Sequence, residues 1–174
     1  MTKYPASYIQ YLVHFHGDRD YFECHEILEE YWKATDTNNK RSIWVALILL
    51  AVSTYHHRRK NFSGALRTLN KAMEIFSADR TAIRLLGIDP ERLNVTLGKR
   101  KNRILNKIPY TSFQLPIIDA ELKKLCLEEC KQNGFTWGKT SEMDNLDLIH
   151  RHSARDRSEI ISERIMALEA RKNR

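Results

Sequence analysis

Ile43-Trp44-Val45-Ala46-Leu47-Ile48-Leu49-Leu50-Ala51-Val52 is apolar at every position. The run is too short to span a bilayer, which takes about 20 residues in a helix. Extended to Arg41 and Arg59, it reads as a helix with apolar side chains on almost every face. Such a helix belongs at the centre of a bundle. Composition agrees: 42% of the 174 residues are hydrophobic, enough for a sizeable core, and six glycines and four prolines are few for a turn-rich β architecture.

The flanking sequence supplies the neighbours of this helix. Pro5 opens a first helix striped by Tyr8, Ile9, Leu12, Val13 and Phe15, and Gly17-Asp18 ends it. Asp18 or Asp20 caps a second helix to about Ala34, because an aspartate accepts the orphan amides of a first turn. Asn61 or Ser63 caps a fourth, with Leu66, Leu69, Ala72, Met73 and Phe76 on one face; a continuation to Leu86, with or without a kink, is open, with Gly87 as its stop. Asp89-Pro90-Glu91 starts a fifth, to about Lys107. The spacing thus predicts an all-α fold: a bundle of about five helices over residues 1–107, a linker or strap over 108–118, and a helical C-terminal extension over 119–174. In the extension, Asp119 caps a helix to about Gln132. Residues 141–150 and 154–171 are also expected to be helical, the last with a modest stripe of Ile160, Ile161, Ile165, Met166 and Leu168.

On a helical wheel the second helix presents Cys24, Ile27, Leu28 and Tyr31 to the core. His25 falls at the edge of that face, with Glu29 one turn along beside it, while Glu26 turns towards solvent. An imidazole and a carboxylate at i and i+4 have three physical uses. They can share a divalent metal, form an acid–base pair tuned by burial, or satisfy each other as a structural pair. The third helix ends Tyr55-His56-His57-Arg58. If it returns beside the second, His56 or His57 comes towards His25 and Glu29; alternatively these residues only complement the negative end of their helix. His25-Glu26 also begins like a zinc-peptidase His-Glu-x-x-His motif, but the fifth residue is Glu29, so that reading is not carried over.

Phe22-Glu23-Cys24-His25-Glu26-Ile27-Leu28-Glu29-Glu30-Tyr31-Trp32 resembles the signature of the domain-of-unknown-function-309 family: a histidine, a glutamate four residues on, and a tryptophan or tyrosine three beyond. His25, Glu29 and Trp32 fill these places. Tyr55-His56 and Asn61-Phe62-Ser63-Gly64-Ala65 resemble a second block, and the likeness spans roughly Ser7 to Lys107. The resemblance implies a small helical bundle whose His25 and Glu29 bind a metal, with Trp32 lining the site.

Two functional readings follow. In the first, the protein is metal-binding or a metal-dependent, hydrolase-like enzyme. His25, Glu29 and His56 hold a divalent ion, Glu26 is the general base, and Trp32, Phe22 and His57 line the pocket. In the second, it is a non-catalytic helical module for a protein or nucleic-acid partner. The charge of +7 and pI near 9.4 admit nucleic acid. However, acidic and basic residues alternate through much of the chain, and no aromatics interleave with Arg58-Arg59-Lys60 or Lys99-Arg100-Lys101-Asn102-Arg103, so solvated helix faces are the preferred reading. A homo-oligomer is open. Cys126 and Cys130 read as packing residues, and His150 and His152 as solvated. Three cysteines without a recognisable secretory signal fit a reducing, cytoplasmic compartment, and no membrane span is expected.

Overall fold

The computed structural model describes residues 3–150 and, beyond them, Met166. Among these residues eight helices form: α1 (Ala6–His16), α2 (Tyr21–Thr35), α3 (Ile43–Arg58), α4 (Phe62–Ala78), α5 (Arg80–Leu85), α6 (Pro90–Leu105), α7 (Ala120–Gln132) and α8 (Leu146–Ile149). Each of α2 to α8 begins at a side-chain cap. Asp20 accepts from the Glu23 amide (3.1 Å), Asn61 from Gly64 (3.1 Å), and Asp89 from Glu91 and Arg92 (3.0 and 3.2 Å). Removing such a cap typically costs about 1 kcal/mol. The expected all-α fold is observed, and no helix among the described residues is long and apolar enough to cross a membrane.

Helix α3 is the hub. It packs most extensively on α4 and next on α2, while α1 covers α2 and α6 covers α4. Ser53 donates to the Ala65 carbonyl (2.7 Å) near one end of the α3–α4 pair, and Arg41 meets Glu74 (3.4 Å) near the other, so the two helices run antiparallel. Leu47, Leu50, Ala51 and Tyr55 of α3 are buried among Tyr11, Leu28 and Leu69. The Tyr11 hydroxyl donates to the Leu47 carbonyl (2.7 Å), fastening α1 to the same hub.

Two expectations are corrected, and a third falls almost wholly outside the described residues. The fourth helix does not run through to Leu86: Asp79 ends α4 and its carboxylate caps α5 at the Ala82 amide (3.1 Å), because a side-chain acceptor competes with the helical ladder. The helix expected over 141–150 is reduced to α8. The helix expected over 154–171 lies outside the described residues apart from Met166, which is helical and 66% exposed.

The strap over 108–118 is bound along its length, mostly by side chains of the bundle. His57 Nε2–H donates to the Ile108 carbonyl (2.8 Å), Arg100 to Thr111 (2.8 Å), and Arg19 to Phe113 (2.6 Å). The Leu115 amide donates to His16 Nε2 (3.0 Å), and the Asp89 amide to the Pro116 carbonyl (3.0 Å). Three arginines, Arg19, Arg58 and Arg100, are buried and form no ion pair with a carboxylate among the described residues. Carbonyls and aromatic faces take that role. Arg58 reaches the carbonyls of Arg19 (2.7 Å) and Leu148 (3.4 Å) and the Ser141 hydroxyl (2.9 Å), and lies over the Tyr21 ring. Arg19 adopts left-handed backbone (φ 59°), which costs about 1–2 kcal/mol for a residue with a Cβ, and its guanidinium bonds hold it there. The hydrophobic cluster is continuous from Tyr8 and Leu12 of α1 to Leu122, Cys126 and Cys130 of α7.

Because the buried guanidiniums of residues 19, 58 and 100 each find acceptors beyond Lys107, a chain ended there is expected to strip each of part of its hydrogen bonding. Hydrogen bonds to a charged donor are worth about 1.5–3 kcal/mol each, so their loss is costly. Circular dichroism melts should show loss of a cooperative transition in the truncated chain; an unchanged melt would mean that residues 1–107 fold autonomously.

His16 stacks on Trp137, with ring centroids 4.2 Å apart; its Nδ1–H donates to Leu12 while Nε2 accepts from Leu115. Burial, aided by Arg19 and Lys123, pushes its pKa down to about 3. A histidine whose folded pKa is depressed stabilises the fold above its unfolded pKa of about 6.5 and loses that contribution as pH falls towards 3. Urea unfolding is therefore expected to show declining stability over this window, with a smaller slope in His16→Gln.

Candidate functional site

Helix α2 carries His25 and Glu29 on its rim because the apolar side chains of the same helix are turned into the core: Cys24 and Leu28 are fully buried, Phe22, Ile27 and Tyr31 half-buried. His25 Nε2 and Glu29 Oε2 lie 2.7 Å apart, and Glu29 Oε1 also accepts Lys33 Nζ at 2.9 Å. Glu29 is held down to about 2 by the His25 hydrogen bond first, then by Lys33, against partial burial. Phe22 packs against His25 and Tyr55, with ring centroids 5.8 and 6.1 Å away.

The other expected residues are placed differently. His56 turns to Asn61, whose side-chain amide lies 3.2 Å from His56 Nδ1. Burial, then Arg59 and Arg67, lowers the His56 pKa. His57 is directed into the bundle, between the Ile108 carbonyl and Arg100 (2.8 and 2.9 Å), and lines no pocket with His25. Glu26 lies 3.6 Å from His25 Nδ1 with 42% of its side chain exposed. Among the described residues no three His, Cys, Asp or Glu side chains gather as a metal site. Protein zinc sites use at least three such donors. The described residues thus do not gather His25, Glu29 and His56 into one cluster; at the last turn of α3 His56 meets Asn61, and His57 meets Ile108 and Arg100.

What His25 and Glu29 do border is an open groove of about 590 Å³ between α2, α3 and α4. Its floor is Val45, Ile48, Leu49 and Val52 of α3 with Ile75 of α4; Trp32 forms one wall, and Lys40, Arg41, Lys71 and Glu74 close the far rim. The floor positions follow i, i+3, i+4 and i+7 spacing, the seam of a helix. Trp32 does more than line the groove. Its indole N–H donates to the Asn39 carbonyl (3.1 Å), and the Asn39 side chain accepts from the Arg41 amide (3.1 Å), so Trp32 positions the loop that carries Lys40 and Arg41.

Reading α3 as apolar all round missed this groove, since Val45, Leu49 and Val52 are only half-buried. The rim cations were missed as well. One signal was legible: residues 37–73 contain no aspartate or glutamate but carry Lys40, Arg41, Arg58, Arg59, Lys60, Arg67 and Lys71, so the charges are locally segregated.

Comparison with known proteins places this chain in a family. The family model described as Domain of unknown function (DUF309) matches residues 8–68, and the chain belongs to that family. It is similar to the uncharacterized protein YpuF of Bacillus subtilis (strain 168), 44% identical over 169 residues that cover 97% of each chain. No solved structure matches.

A glutamate with a depressed folded pKa stabilises the fold above its unfolded pKa, near 4.5, and the contribution fades as pH falls towards 2. Glu29→Gln is expected to lower the melting temperature at pH 7 and to flatten its decline between pH 4.5 and 2. Differential scanning calorimetry across this range checks both.

Proposed function

We propose that the protein is a non-catalytic helical interaction module, and that its binding site is the groove over α3. The observation that carries this reading is the half-buried apolar seam of Val45, Leu49 and Val52 lining the groove, on a helix whose Ala46, Leu47, Leu50 and Ala51 are buried. Concave sites lined mainly by apolar side chains, with a few polar groups at the rim, are characteristic binding sites. Grooves between helices receive such partners as apolar-faced segments.

In this reading the His25–Glu29 pair is a clamp. It joins successive turns of α2 along the groove wall and leaves Glu29 bonded to both His25 and Lys33. A metal-dependent hydrolase-like activity requires a third donor, which the described residues do not supply. Trp32 connects the family motif to the groove by holding the loop at its rim.

The anionic dye 1-anilinonaphthalene-8-sulfonate has an apolar body and a single negative charge suited to this groove. It is expected to bind saturably with enhanced fluorescence. Leu49→Glu, which places a carboxylate on the floor, should weaken binding at least tenfold while retaining a cooperative melt. Dye binding indifferent to a folded Leu49→Glu variant, or no saturable binding, would remove the groove from the proposal.

A further inference from the structure

Building on the groove as a binding site, the geometry points to its occupant: we infer that it receives an acidic amphipathic helix from a partner protein. Three observations converge on this class.

The first is shape. Val45, Ile48, Leu49 and Val52 present one face of a helix from residue 45 to residue 52, about 10 Å at 1.5 Å per residue. The flanking walls are helices too. A seam of this period is complemented by another helix, whose side chains at i, i+4 and i+7 seat between those of α3. About two turns of the partner make the contact.

The second is charge at the rim. Of the acidic residues lining the groove, Glu29 is already bonded to His25 and Lys33, and Glu74 faces Arg41 at 3.4 Å. Lys40 and Lys71 are exposed and form no ion pair among the described residues. Exposed Arg67 lies one turn before Lys71 on α4, and the N-terminal end of α3 adds a positive field beside Lys40 and Arg41. Carboxylates flanking the apolar face of a partner helix would therefore meet uncompensated cations.

The third concerns the alternative occupants. A second copy of this chain carries a net +7 and is repelled overall. The chain's own residues 151–174 hold seven lysines and arginines against four acids, the wrong sign for this rim. An acidic partner is favoured over both.

The test uses two synthetic peptides of about 15 residues, a length at which an isolated helix begins to be populated. Both carry leucines at i, i+4 and i+7 spacing, with glutamates flanking the leucine face in one and lysines in the other. Calorimetric titration into the full chain is expected to show the acidic peptide binding at least tenfold more tightly, with an affinity that falls as salt rises. The double variant Lys40→Glu/Lys71→Glu should reverse the preference and melt as the parent does, since neither lysine is in an ion pair among the described residues. Three outcomes overturn the acidic occupant while sparing the groove: equal binding of the two peptides that still requires Leu49, tighter binding of the lysine peptide, and acidic-peptide affinity that appears only when residues 151–174 are removed. Single-stranded DNA displacing the acidic peptide through the same two lysines would assign the rim to a polyanion and overturn it as well. Failure of both peptides together with dye binding that ignores Leu49 would instead remove the groove.

Discussion

Helix α3 has more apolar circumference than any one neighbour can cover, and the arrangement of the chain follows from that constraint. Leu47, Leu50, Ala51 and Tyr55 require partners on several sides, so α2 and α4 flank the helix while α1 and α6 back those flanks. Each fully buried leucine contributes about 1.5–3 kcal/mol by leaving water. The seam of Val45, Leu49 and Val52 lies where α2 and α4 diverge, and the groove is the uncovered remainder of the same apolar helix.

The second organising feature is the way in which charge is buried. Arg19, Arg58 and Arg100 enter the interior without carboxylates among the described residues, and backbone carbonyls of the strap and extension receive them. Hydrogen bonds to a charged donor are stronger than neutral ones, at about 1.5–3 kcal/mol each. They also need acceptors that are distant in sequence: Arg19 to Lys139 and Arg58 to Leu148 join the two ends of the described chain. The phenols of Tyr21 and Tyr110 are hydrogen-bonded to each other beneath these cations, and the rings supply their negative faces. His25, Glu29 and Trp32 lie on α2, within the segment that the family model matches. His25 and Glu29 pair on the rim of α2, and the Trp32 indole donates to Asn39 in the loop before α3.

Much of this was readable before any coordinates. Helix starts were legible because aspartate, asparagine and proline act locally, within one turn of the residues they cap. The centrality of α3 was legible because ten consecutive apolar residues leave no polar face to expose. The adjacency of His25 and Glu29 was legible because an α-helix sets i and i+4 side by side whatever surrounds it. The break at Asp79 was not. A carboxylate there can continue a solvated helix or cap a new one, and contacts of α5 outside its own segment select the second.

What the linear chain determined is therefore its short-range geometry: which stretches coil, where they start, and which side chains neighbour each other on one helix. Tertiary structure alone decided which way His56 and His57 point, how much of α3 is left uncovered, and that Lys40, Arg41 and Lys71 border one groove. These outcomes depend on the distance and crossing of helices far apart in sequence. Small changes in that packing rotate an imidazole away from a carboxylate or open a seam, and helical periodicity is unaffected by either.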